Sequence, residues 1–280
     1  MATENQKPAF LDEAIHSYYN QGREQNRLSA SSGKLEFTRT LELVRRYIQA
    51  PPATIYDIGG GAGIYALPLA RLGYAVHLLD AMPLHIEQAA KEAKNQPDYP
   101  LASLQVGDAR HLDFADASAD AVLLFGPLYH LTEKVDRIQA LREAYRVLKP
   151  GGLLFAAVIS RFAPLMDGLS KGFLTDPYFV EILERSVSDG QHRNPKNLPG
   201  YFSTAYFHHP DELGEELAEA SFKVEAVLAI EGPAEFMPNF DAFWDVPEQR
   251  EMLLGFVRKV EADSTMLGAS GHIMGVGRKG

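Results

Sequence analysis

Thr54-Ile55-Tyr56-Asp57-Ile58-Gly59-Gly60-Gly61-Ala62-Gly63 is a short apolar run that carries an aspartate near its end and then four glycines within five positions. Glycines between a buried strand and a helix let the backbone approach a ligand closely, because no Cβ intervenes and unusual φ values cost little. A dinucleotide-binding loop needs Gly-x-Gly-x-x-Gly, and here the third position is Ile64, so the spacing fails by one residue. No Gly-Lys-Ser/Thr follows, which excludes a phosphate-cradling P-loop. Asp57 at the strand end suits a cationic ligand better than a pyrophosphate.

Outward from this stretch, strand and helix patterns alternate. The expected strands are Ala53 to Ile58, Tyr74 to Leu79 closed by Asp80, Leu104 to Val106 closed by Gly107-Asp108, Ala121 to Phe125, and Leu153 to Ile159. Helical periodicity falls at Ile64 to Leu72, Leu84 to Asn95 and Lys134 to Leu148, the last stopped by Lys149-Pro150-Gly151-Gly152. Near-continuous apolar strands between helices imply a doubly wound α/β sheet, and ligands bind beyond the carboxyl ends of such strands. Upstream, residues 1 to 9 are expected to be unstructured, and two helical patterns, Leu11 to Arg23 and Leu35 to Ile48, form a cap. Residues 161–207 hold many aromatics without strand periodicity, broken by Pro164, Pro177, Pro195 and Pro199, and read as a lid or substrate insertion. Pro210 to Ala220, Lys223 to Ile230, Glu248 to Glu261 and His272 to Gly277 then complete the core as helix, strand, helix and strand. The expected divisions are 1–50, 51–160, 161–207 and 208–280.

Composition excludes several chemistries. Lys plus Arg is 27 against 37 for Asp plus Glu, and the net charge of −10 argues against nucleic acid as partner. With no cysteine there is no disulfide, thiolate zinc site or cysteine nucleophile. No stretch approaches the ~20 apolar residues that span a bilayer, and Met1 to Lys7 lacks the apolar segment of a signal peptide, so a cytoplasmic protein is expected. A metal at His208-His209 is not expected, since neighbouring side chains on an extended chain point apart.

Asp57-Ile58-Gly59-Gly60-Gly61-Ala62-Gly63 resembles the first motif of class I S-adenosylmethionine-dependent methyltransferases of small-molecule type. The later strand ends resemble the family too: Leu79-Asp80, with Asp80 lying 23 residues after Asp57, then Gly107-Asp108-Ala109, and the turn Val147-Leu148-Lys149-Pro150-Gly151-Gly152. The resemblance covers residues 35 to 160 and 205 to 278. It implies a Rossmann-like, seven-stranded, mostly parallel sheet with an antiparallel last strand, and S-adenosyl-L-methionine as cofactor with S-adenosyl-L-homocysteine as product. It further implies that Gly59, Gly60 and Gly61 approach the methionine part, with Asp57 near its ammonium. Asp80 takes the ribose hydroxyls, Ala81 and Met82 lie beside ribose or adenine, and Asp108 and Ala109 meet the adenine. Phe125 and Tyr19 border the cofactor.

Phe125-Gly126-Pro127-Leu128-Tyr129-His130-Leu131 follows the fourth strand, where the family places the methyl group. The stretch is not the Asn/Asp-Pro-Pro-Tyr/Phe motif of amino-methylating nucleic-acid enzymes. His130 is the candidate general base, needed only if the acceptor must lose a proton, and Tyr129 lines the methyl site. Tyr18, Tyr19, Arg23 and Arg27 are expected to close over the cofactor, an arginine meeting its carboxylate. His192 and Arg193 are candidates for contact with an acidic substrate. The expected activity is methyl transfer to a small molecule by a monomer or homodimer. Protein methylation, a different use of the sulfonium, and a non-catalytic cofactor-binding protein are the alternatives, and the acceptor atom is left open.

Overall fold

The protein is described by a computed structural model covering residues 7–22, 24–198 and 200–280. The expectations for residues 1–6, Arg23 and Pro199 lie outside the described residues. The strands are β1 Thr54–Ile58, β2 Ala75–Asp80, β3 Ser103–Val106, β4 Ala119–Leu124, β5 Leu148–Ile159, the short β6 Gln191–His192 and β7 Ala205–Tyr206, then β8 Lys223–Ala229 and β9 His272–Arg278. Seven of them form one sheet in the order β3-β2-β1-β4-β5-β9-β8, while β6 and β7 pair separately. The pairs among β1 to β5 in this sheet are parallel, and β9 runs antiparallel between β5 and β8.

The helices are α1 Glu13–Tyr19, α2 Gly33–Tyr47, α3 Ala66–Arg71, α4 Pro83–Ala93, α5 Pro127–His130, α6 Lys134–Val147, α7 Ala163–Lys171, α8 Pro177–Asp189, α9 Glu212–Glu219, α10 Phe240–Trp244, α11 Pro247–Val260 and α12 Ser264–Leu267. Successive residues of the central strands point to opposite faces. Ile55, Leu123 and Phe155 pack with Leu43 and Leu69 on one side, and Tyr56, Val122 and Leu154 pack with Ile138 and Leu141 on the other. Both faces of β1 and β4 are therefore covered, as their unbroken apolar sequences require.

Most element ends shift by one or two residues from the expectation, and two boundaries differ by more. β5 begins at Leu148 rather than Leu153, because Leu148 pairs with Ala119 before the ladder is interrupted and resumes at Ala121 and Leu153. Gly151 takes a left-handed φ of 77° there, and its N–H donates to the Lys279 carbonyl, so the chain after β9 supplies partners that the sequence pattern does not show. α1 is shorter than its apolar pattern: the Asp12 carboxylate caps it by accepting from the Ala14 and Ile15 amides, and Gly22 follows with a φ of 69°. Among the described residues no helix is long and apolar enough to cross a membrane.

The ends of β1 to β5 are overlaid by α1 and by the start of α2. α1 docks through Ile15 and Tyr19, one turn apart, onto Met82. α2 is anchored by the buried Arg39, which donates to the Ile230 carbonyl at 3.3 Å and is paired with Glu261. On the other side of the sheet Arg137 of α6 meets Glu216 of α9 at 2.7 Å and donates to the Leu131 and Thr132 carbonyls, which holds the segment after α5 in place.

Candidate functional site

A cavity of about 290 Å³ lies beyond the carboxyl ends of the parallel strands. Its walls include Gly59, Gly60 and Gly61 after β1, Asp80, Ala81 and Met82 at the end of β2, Asp108 and Ala109 after β3, Phe125 after β4, and Tyr19 from α1. Tyr129 and His130 of α5 also face it. Of the candidate residues named from the sequence, Asp57 stands apart. Its carboxylate is fully buried beneath the loop, with no place on the cavity wall.

The loop needs its glycines. A Cβ on Gly59, whose φ is 74°, would come within 2.5 Å of the Pro127 ring, and one on Gly60 would come within 2.4 Å of the Asp57 carboxylate and of Leu78. The Gly59 N–H donates to the Leu79 carbonyl at 2.7 Å, and the Gly61 N–H to the Asp80 carboxylate at 2.8 Å. The chain is thus folded down onto β2, and its backbone forms the wall. Burial, and then the nearby charge of Asp80, push the Asp57 carboxyl up to about 7, against a smaller opposing effect of the Ala66 amide.

Asp80 accepts from the Met82 amide at 2.8 Å and faces His85 Nδ1 at 3.0 Å, besides Gly61. A carboxylate has about four lone-pair sites, so capacity remains for a ligand hydroxyl. Asp108 is more heavily engaged: Arg110 reaches it through Nη2 at 2.7 Å and through Nε, and also bonds Asp136 and the Phe10 carbonyl. Arg110 thus competes with any adenine amino group for that carboxylate. Its position two residues after Asp108 was the available signal.

His130 is held at both ring nitrogens. Nδ1 faces the Thr204 carbonyl at 3.3 Å, and Nε2 faces the Tyr19 hydroxyl at 2.7 Å. A carbonyl only accepts, so Nδ1 carries the proton and Nε2 accepts from Tyr19. Burial lowers His130 to about 4, in keeping with a neutral ring. The ring spans α1, α5 and the segment before β7 and ties the covering elements together. Phe202 stacks on it at 5.7 Å between ring centres and meets Tyr18 edge-on at 5.5 Å.

The remaining candidates fall elsewhere. Arg27 forms a bidentate pair with Glu36 of α2 at 2.6 and 2.9 Å, on the cavity wall. His192 is buried against Ser186 at 2.9 Å, and Arg193 bonds the His192 and Ala205 carbonyls; neither lines the cavity. His208 is buried on Glu216, while His209 lies against Phe162. Glu36, Tyr65, Thr204, Ile230 and His272 line the cavity without having been named from the sequence as site residues.

Residues 56–156 match the family model described as "Methyltransferase domain". Over these residues the chain is similar to class I S-adenosylmethionine-dependent methyltransferase domains. A ubiquinone biosynthesis O-methyltransferase of Methylocella silvestris is 36% identical over 110 residues, which are 38% of this chain and 40% of the relative. The chain thus spans well under two thirds of that curated relative. A crystal structure of an S-adenosylmethionine-dependent methyltransferase from Listeria monocytogenes, described there as putative, superposes with a TM-score of 0.59 at 14% identity, covering 88% of this chain and 99% of the other. The [4+2]-cyclase SpnF superposes with a TM-score of 0.57 at 19% identity, covering 91% of this chain and 85% of the other. Likeness at this level belongs to the methyltransferase fold, and the site must carry the activity.

Proposed function

We propose that the protein transfers the methyl group of S-adenosylmethionine to a small-molecule acceptor. One observation carries this reading: a single cavity is lined by Gly59–Gly61, Asp80 and Asp108–Ala109, at the carboxyl ends of three adjacent strands. The cofactor supplies a methyl group on a sulfonium, an electrophile that needs alignment more than activation.

The protein's own groups have separable tasks. Asp80 accepts from a ribose hydroxyl with the lone pair that Gly61, Met82 and His85 leave. Met82, fully buried under Tyr19, is a fixed apolar wall for the nucleoside. The backbone of Gly59 to Gly61 approaches the methionine part, and Asp57 acts on it only through the loop. His130 orders Tyr19 instead of taking a proton, since its acceptor nitrogen is already used. Residues 161–207 are read as the substrate lid, because Thr204 reaches both the cavity and His130. A walled cavity and a net charge of −10 support a small molecule over nucleic acid.

Calorimetry with adenosylmethionine and adenosylhomocysteine tests the reading. Binding in the micromolar range, abolished by Asp80→Ala, is expected. No heat with either ligand would contradict it.

A further inference from the structure

Part of the cavity wall is built from residues remote in sequence. Tyr65, Ile64, Phe125, Ala157 and Ile230 make it apolar and partly aromatic, and His272 joins it from the start of β9. Phe125 packs edge-on against Tyr65 at 5.2 Å, so the wall is braced. His272 Nδ1 meets Glu231 at 2.7 Å, and Glu231 is itself held by the Ser270 hydroxyl and the His272 amide. Among the described residues nothing bonds to the other ring nitrogen, Nε2, and the side chain keeps 16% of its surface exposed while lining the cavity.

We propose that His272, oriented by Glu231, selects the methyl acceptor: Nε2–H donates to an anionic oxygen, and the acceptor is a small aromatic compound with an acidic hydroxyl, taken as its oxyanion. The proposal rests on the methyltransferase reading and names the substrate class of that site.

The surrounding charges support it. Facing His272 are Glu36 on α2, which pairs with Arg27, Glu231 after β8, and Glu235 in the 3₁₀ turn Gly232–Phe236. Burial alone would lower His272, but Glu36, Glu231 and Glu235 outweigh it and push it up to about 10. Burial, then the charge of Glu231, raises Glu235 to about 8 and leaves it protonated at neutral pH. Two carboxylates thus balance two cations, Arg27 and His272. Glu36, Glu231 and His272 bring ligand atoms within 4.8 Å of one another, and Arg27 and His272 are the cations paired with these two carboxylates. An imidazolium that already has its carboxylate on Nδ1 offers a charge-assisted donor at Nε2. The acceptor's proton leaves to solvent on binding. The oxygen–methyl bond then forms as the methyl–sulfur bond breaks, the electron pair stays on sulfur, and His272 keeps its proton throughout.

The probe is 4-nitrophenol, whose ionised form is read by its absorbance, with 4-nitroanisole as the analogue lacking an ionisable oxygen. Titrations are run on the full chain with and without adenosylhomocysteine. The bound phenol is expected to ionise about one pH unit lower than the free phenol, equivalent to about tenfold tighter binding of the anion. His272→Gln should remove that shift while leaving adenosylhomocysteine binding intact. An unshifted probe, an equal shift in the variant, or no probe binding would overturn the proposal. Should His272→Gln not fold, the wild-type protein still decides: at a pH where the phenol is ionised it must bind at least about tenfold tighter than the anisole, and equal binding overturns the proposal. Absence of adenosylhomocysteine binding would strike the methyltransferase reading separately, since the probe titration without it still reports on His272.

Discussion

Three groups in or beneath the site, Asp57, His130 and His272, are pushed far from their ordinary pKa values, and their effects on stability differ in sign. Asp57 rises from 3.8 to about 7, so the folded state holds a proton that the unfolded state has lost, and its contribution falls as pH rises through that window. His130 drops from 6.5 to about 4, so stability rises with pH between those values as the unfolded state gives up its extra proton. The two oppose each other in mild acid. His272 rises from 6.5 to about 10, and its contribution is complete below 6.5 and lost as pH climbs through 10. Urea unfolding measured from pH 6.5 to 10 should therefore decline more steeply in the wild type than in His272→Gln, by at most about 1.4 kcal/mol per pH unit. Parallel profiles for the two proteins would show that His272 and Glu231 do not form a charged pair in the folded protein.

The glycine loop joins β1 to α3 and sets the wall against which a cofactor would lie. Replacing Gly60 by alanine puts a methyl 2.4 Å from both the Asp57 carboxylate and Leu78, each fixed in a packed sheet. The expected cost is about 1–3 kcal/mol in urea unfolding, with adenosylhomocysteine affinity lost because the loop must lift from β2. Unchanged binding and stability would show that the loop has room the structure does not give it. This element was legible in the sequence because its parts are consecutive: apolar strand, glycines, helix. The β5 boundary was not, since the partners of Leu148 to Gly152 lie at Ala119 and Lys279. Short α5 escaped notice because a single turn over Pro127–His130 has no periodicity to detect.

Across the whole molecule, the part of the cavity proposed for the nucleoside was legible in the strand ends, where fold topology brings residues 59, 80 and 108 together. The rest was not. Glu36, Glu231 and His272 come from α2, the turn after β8 and the start of β9, and they meet only once β9 is inserted between β5 and β8 and α2 packs over the sheet. The contacts behind the ordering role proposed for His130 were equally hidden, because its partners Tyr19 and Thr204 are 111 and 74 residues away. In the proposed arrangement one cavity holds the cofactor along the ends of β1, β2 and β3 and leaves the part beside His272 for the acceptor. A crystal structure of the full chain with adenosylhomocysteine tests this most directly. A ribose hydroxyl is expected within hydrogen-bond distance of the Asp80 carboxylate, with the adenine beside Ala109. A nucleoside bound outside the cavity, or turned with its adenine against His272, would contradict it.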